Sequence, residues 1–103
     1  MKLRILSTAE AEATEAACWY DEQSIGLGEL FLAEYVAALS AIEVDPLRFG
    51  LLETEPAGRF RRCILRRFPY AVVFEILPEE VLVLAVAHTS RRPGYWRDTR
   101  TIT

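Results

Sequence analysis

The sequence predicts an α+β fold: an N-terminal strand, an antiparallel helical hairpin, then a three-stranded antiparallel sheet. Three observations carry that reading. Tyr70, Val72, Phe74 and Ile76 recur with period two, and after Pro78-Glu79-Glu80 comes the wholly apolar run 81–87, so residues 70–87 read as a β-hairpin with a proline-led turn. Two earlier stretches, 9–23 and 27–44, place their apolar residues at helical spacing instead. The opening KLRIL alternates polar and apolar over the length of a short strand. Two helices on one face of a small, mainly antiparallel sheet would bury both patterns in one core.

Taken in order, Leu3 and Ile5 of the first strand share one face and Lys2 and Arg4 the other. Ser7 and Thr8 follow as candidate helix caps, and Ser7 with Glu10 has the spacing of a capping box. In the first helix, Ala9, Ala13, Ala16, Ala17 and Tyr20 form one stripe, small enough for close helix packing. Glu10, Glu12 and Glu15 occupy its first half, where the helix dipole favours negative charge. Trp19 lies off the stripe and is expected to cover the sheet. The SIGLG segment breaks the helical period and joins the two helices.

The second helix carries a main stripe of Leu27, Phe31, Tyr35, Ala38 and Ile42, and a second of Leu32, Val36 and Leu39. Tyr20, Phe31 and Tyr35 are expected in the core. Asp45-Pro46 ends the helix, because proline disfavours helical geometry in the residue before it. Residues 47–58 form a loop punctuated by Gly50, Pro56 and Gly58. Residues 59–67 read as a strand whose broken alternation suggests a bulge. The run 81–87, apolar on both faces, should be a central strand covered on both sides. After His88 the pattern collapses, and 97–103 should be a flexible tail. Where the first strand joins the sheet is not decided at this level.

At 103 residues the chain fits a single domain, 1–103, and 51% apolar residues exclude a disordered one. No apolar run is long enough to span a bilayer, and the short N-terminal apolar run soon turns acidic, unlike a signal peptide. A cytoplasmic protein, bacterial in style, is the expectation. Cys18 and Cys63 lack metal-ligand spacing and lie far from the single histidine, His88, so no metal and no cofactor is expected, and two buried thiols are favoured over a disulfide. Charge is divided: residues 1–58 carry three cations against eleven acids, a net of −8, whereas 59–103 carry nine arginines against four acids, a net of +5. That division predicts an acidic helical surface and a basic sheet surface. Genome composition accounts for scattered arginines such as Arg48, but less readily for Arg59, Arg61, Arg62, Arg66 and Arg67. Five like charges in nine residues suit a polyanion or an acidic partner segment. His88, with an ordinary pKa near 6.5, suits proton transfer, although a structural role bracing the Arg91–Tyr95 turn is favoured. Tyr95 and Trp96 can cap the sheet edge or stack on a base beside Arg91 or Arg92.

The segments RRFPYAVVFEI and VLVLAVAHTSRRPGYW, set in a strand, helical hairpin and three-strand order, resemble the RelE/ParE toxins of bacterial type II toxin–antitoxin systems, including those described as plasmid stabilisation proteins. The resemblance covers nearly the whole chain. It implies a growth-inhibiting toxin neutralised by a cognate antitoxin in a toxin–antitoxin hetero-oligomer, with DNA gyrase or the ribosome and its mRNA as target. For the mRNA-cleaving branch it implies catalytic candidates Arg62, Arg66, His88, Arg91 and Tyr95, but one expected arginine is replaced by Ala71, and another falls at Arg91 or is replaced by Thr89. The ParE-like, gyrase-directed reading is therefore preferred. A RelE-like ribosome-dependent endonuclease and a non-toxic antitoxin-binding module are the alternatives. The implied target-binding set is Arg61, Arg62, Arg66, Arg67, Arg91, Arg92, Tyr95 and Trp96.

Overall fold

The structure, a computed structural model, describes residues 2–52 and 58–91. Strand β1 (Lys2–Ile5) leads into helix α1 (Ser7–Gln23), helix α2 (Leu27–Val44) and a single 3-10 turn (Pro46–Arg48). Strands β2 (Phe60–Ile64), β3 (Tyr70–Ile76) and β4 (Glu80–His88) follow. The sheet order is β1-β4-β3-β2. The three later strands are antiparallel neighbours, as predicted, and β1 pairs in parallel with β4 at the far edge. The apolar run is thus central, and its residues 81–87 are all buried.

α1 begins differently from its expected capping box. Leu6, not Ser7 or Thr8, stands at the cap, and no side chain caps the helix. The physical reason lies in the sheet. The Leu6 N–H donates to the Val83 carbonyl (3.0 Å), which holds Leu6 extended as the last rung of β1, and its side chain is buried. Ser7 is therefore already the first helical residue.

The helices meet through small residues. Ala9, Ala13, Ala16 and Ala17 of α1 are buried against Phe31, Tyr35, Ala38 and Ile42 of α2, as the stripes predict. Gly26 turns the chain in the left-handed region (φ 89°), which any Cβ would strain. Gly28 is where the backbones come closest: its N–H donates to Asp21 Oδ1 (2.8 Å), and a Cβ there would meet the Ala17 carbonyl oxygen and the Asp21 carboxyl. Tyr20, Phe31, Phe68 and Tyr70 interlock edge and face, with ring centroids 4.8–6.1 Å apart. Trp19 does not cover the sheet. It is 53% exposed, edge-on to Tyr20. Leu32 and Val36, on the second stripe of α2, are also exposed.

A β-bulge separates the two faces of the sheet. Val73 pairs with Ala85 and Phe74 with Val83, so Leu84 has no partner on β3. Val81, Val83 and Val86 pack with the helices, whereas Leu82, Leu84 and Ala85 join Leu6, Leu52, Phe60 and Val73 in a second cluster on the opposite face. The bulge lies in β4, while β2 pairs with β3 in unbroken register. Both cysteines are free thiols; Cys63 is half-buried, but Cys18 is exposed on α1 rather than buried. Among the described residues no helix is long and apolar enough to cross a membrane.

The Gly28 contact makes a direct prediction. Gly28→Ala should lower unfolding free energy by about 1–3 kcal/mol, the usual range for overpacking, although alanine is the better helix former. Urea denaturation checks it; equal or greater stability would show that the hairpin can open to admit a methyl group.

Candidate functional site

The predicted arginine cluster does not form one surface. Arg61 lies opposite Phe74, on the helix side, and its Nη1 donates to the Phe49 carbonyl (2.7 Å). Arg62 lies opposite Val73, on the other face, and is exposed. Arg59 stacks over the Phe60 ring at 5.0 Å. Arg66 and Arg67 leave the sheet altogether, in the connection between β2 and β3.

Glu34 of α2 organises that connection. Its Oε1 accepts the backbone N–H groups of Arg66 (2.9 Å) and Arg67 (3.1 Å), and its Oε2 accepts Arg67 Nε (2.6 Å). Partial burial alone would push its carboxyl pKa up; the Arg67 side chain and the two amides outweigh that and hold it below its ordinary value. Between α2 and β2 runs an apolar groove of about 270 Å³, lined by Ala37, Ala41, Cys63 and Ile64 together with Arg48, Arg66 and Glu34. Burial pushes the Cys63 thiol pKa up, and the Arg48 charge opposes that shift.

A second concavity, about 290 Å³, lies between α1 and the end of β4. It contains His88 and Arg91 together with Glu12, Glu15, Trp19 and Tyr70. Glu12 joins helix to sheet: Oε1 accepts the Val86 N–H (2.9 Å), and Oε2 lies 3.5 Å from Arg91 Nη1. The His88 ring meets Tyr70 edge-on at 5.2 Å. Its Nδ1 accepts the Ser90 N–H (3.1 Å) and lies 2.7 Å from Ser90 Oγ. A nitrogen that accepts a backbone N–H carries no proton, so the neutral ring is protonated on Nε2. The turn is closed further by Arg91 N–H to the His88 carbonyl (2.9 Å) and Thr89 N–H to the Pro69 carbonyl (2.8 Å). His88 thus closes the 88–91 turn, whereas the Arg91–Tyr95 turn it was expected to brace lies, beyond Arg91, outside the described residues. Burial pushes the Tyr70 phenol pKa up, and the Glu12 charge adds to the shift.

The structure therefore brings together His88 and Arg91 but separates them from Arg62, which lies two strands away on the other face of the sheet. Ala71, where the mRNA-cleaving pattern expects a cation, is buried on the face of Arg62 beside Ala87. Arg92, Tyr95 and Trp96 lie outside the described residues. Sequence reasoning missed Glu34, and it assigned Glu12 and Glu15 to the helix dipole alone. A signal was present: Glu12, Glu15 and Trp19 stand three and four residues apart and so share one helix face.

Comparison with known proteins places these features in context. The family described as "ParE toxin of type II toxin-antitoxin system, parDE" matches residues 3–93. Among solved structures, a chain of the chromosomal ParDE TA system from P. aeruginosa superposes with a TM-score of 0.72 at 18% identity, covering 85% of this chain and 95% of that one. No curated protein sequence matches.

Glu34 supplies a pH prediction. A carboxyl whose folded pKa is depressed contributes stability above its unfolded pKa, ordinarily 4.5, and loses that contribution as pH falls through the folded value. Glu34→Gln keeps an acceptor for the amides but loses the charge, and because Arg67 is exposed the cost should be only about 1 kcal/mol at pH 7. The gap between the two proteins, measured by urea unfolding, should close as the pH is lowered well below 4.5. A gap independent of pH would mean that the charge is irrelevant.

Proposed function

The chain belongs to the ParE toxin family of type II toxin–antitoxin systems, and from that premise we propose that it is a cytoplasmic growth inhibitor neutralised by a cognate antitoxin, with DNA gyrase as its target. The observation that supports a binder over a ribonuclease is the separation just described. RNA cleavage needs a proton-transferring group and phosphate-holding cations around one phosphate. Here His88 and Arg62 occupy opposite faces, the position of the expected cation is Ala71, and among the described residues the space around His88 sets Glu12 and Glu15 against one cation, Arg91, which lies 3.5 Å from Glu12.

For the antitoxin, the α2–β2 groove offers an apolar lining with two arginines, Arg48 and Arg66, against Glu34, itself paired with Arg67, which suits an amphipathic segment bearing acidic residues. The outer edge of β2 lies beside it, where residues 50–52 pair with Phe60–Arg62 through Leu52 N–H to the Phe60 carbonyl (2.9 Å) and Arg62 N–H to the Gly50 carbonyl (3.2 Å). The target contacts are assigned to Arg62, Arg66 and Arg91, with Arg92, Tyr95 and Trp96 beyond them in sequence. Arg61 and Arg67 are assigned to the framework by their short contacts to the Phe49 carbonyl (2.7 Å) and Glu34 (2.6 Å), while Arg91, 3.5 Å from Glu12, stays in the target set at the end of β4.

Induced expression followed by separate supercoiling and mRNA-cleavage assays tests this reading. The expected result is growth arrest with loss of gyrase supercoiling and intact message. Arg91→Ala should reduce inhibition at least about tenfold, the scale of one charged interface contact; His88→Ala should reduce it less, since His88 supports the turn without touching the target. Ribosome-bound message cut at defined codon positions, with the cutting lost in Tyr95→Phe, would replace this reading with a RelE-like endonuclease. A folded protein that binds its antitoxin and arrests nothing would reduce it to an antitoxin-binding module.

A further inference from the structure

We infer that the concavity between α1 and the end of β4 is a recognition site for a basic side chain, arginine or lysine, presented by a protein partner, with Trp19 as its aromatic wall and Glu15 as its counter-charge. The inference goes beyond the target assignment and does not depend on it. It starts from Trp19, a large aromatic left 53% exposed at the rim of a concave site, where burial by a partner would yield the most. The Trp19 indole is edge-on to Tyr20, with an interplanar angle of 83°. Glu15 stands one helical turn before Trp19 and lines the same space. Tyr70 and His88 form the opposite wall, 5.2 Å from one another.

The sign of the charge selects the ligand. Arg91 also lines the site, but its guanidinium is directed to Glu12, so the two largely offset each other. Glu15, exposed on α1, makes no ion pair among the described residues and leaves the site with an acidic balance. A phosphate or a carboxylate entering here would face Glu12 and Glu15 at short range. A purely apolar side chain would bury the carboxylates without compensation. A guanidinium or ammonium gains both the carboxylate and the aromatic faces, an arrangement favourable to cations. At about 290 Å³ the space lies at the small end of ligand sites, suited to one side chain rather than to a nucleotide. The floor is Ala16, whose small side chain keeps the space open between Glu12 and Trp19.

The test is a titration of the full-length chain, followed through the indole N–H signal of Trp19 in nitrogen-15 NMR spectra. That signal is identified by its loss in Trp19→Phe. The probes are N-acetyl-arginine amide and N-acetyl-lysine amide, with N-acetyl-glutamate amide and AMP as the opposite charge and the nucleotide control. The expected result is a saturable shift with at least one cationic probe, weakened by added salt, and no saturable shift with the glutamate probe or AMP. Glu15→Gln, an exposed change that leaves the packed face of α1 untouched, should weaken binding at least about threefold. No saturable shift with either cation, preferential binding of AMP, or unchanged affinity in a folded Glu15→Gln protein would each overturn the assignment. Toxicity plays no part in the readout, so failure here leaves the gyrase reading standing, and failure of that reading leaves this site to be judged on its own titration.

Discussion

The constraint on which the rest of the structure depends is that β4 is apolar on both faces. A strand of that kind cannot stand at an edge or face water on either side. It takes β1 in parallel on one side and β3 antiparallel on the other, and the α1–α2 hairpin covers one face through a stripe of alanines narrow enough to lie close. Leu6 carries that constraint into the helical layer. By pairing with Val83 and burying its side chain, it ends β1 and starts α1 in one residue, with no polar cap. The first element of the chain and the last strand are thereby fixed together.

The bulge at Leu84 then decides what the site contains. Side chains along a strand alternate between faces, so an unbroken β4 would direct residues 82, 84, 86 and 88 the same way. The extra residue reverses the parity. Val86 and His88 turn to the helix side, where the Val86 N–H meets Glu12 and the His88 ring meets Tyr70. Without it His88 would share a face with Leu82, the side on which Arg62 lies two strands away. One unpaired residue therefore puts His88 and Arg62 on opposite faces of the sheet, while His88 and Arg91 share one concavity.

That reversal also explains what could and could not be read from sequence. The stripes of α1 and α2, the period of β3 and the central place of β4 were legible because each is a pattern of burial that one segment displays by itself. The bulge was not legible, since a run in which every residue is apolar has no alternation to break. The arginines of 59–67 read as one charged surface because sequence spacing does not say which are already engaged; Arg61 is held by the Phe49 carbonyl and Arg67 by Glu34. Gly28 read as part of a loop because the contact that requires it lies on α1, eleven residues earlier at Ala17. Trp19 was expected over the sheet, yet the interlocked rings of Tyr20, Phe31, Phe68 and Tyr70 fill that space and leave it at the rim.

The division of charge between the two halves of the chain persists in three dimensions, where a few ion pairs bridge it. An acidic first half and a basic second half suggested two surfaces of opposite sign. Two ion pairs join the halves, Glu34 to Arg67 at the β2–β3 connection and Glu12 to Arg91, each linking an acid of the helical layer to a cation from beyond β2. Arg4 and Glu80 make the same link in the opposite sense across the parallel edge. With these pairs set aside, residues 1–58 still carry nine acids against two cations, a net of −7, and residues 59–103 seven arginines against three acids, a net of +4. Arg48 and Arg66 remain beside an apolar groove, Arg62 remains on the far face of β2, and Glu15 remains beside Trp19. Two of these features set charges beside apolar or aromatic walls, the combination on which the proposed protein partners rest.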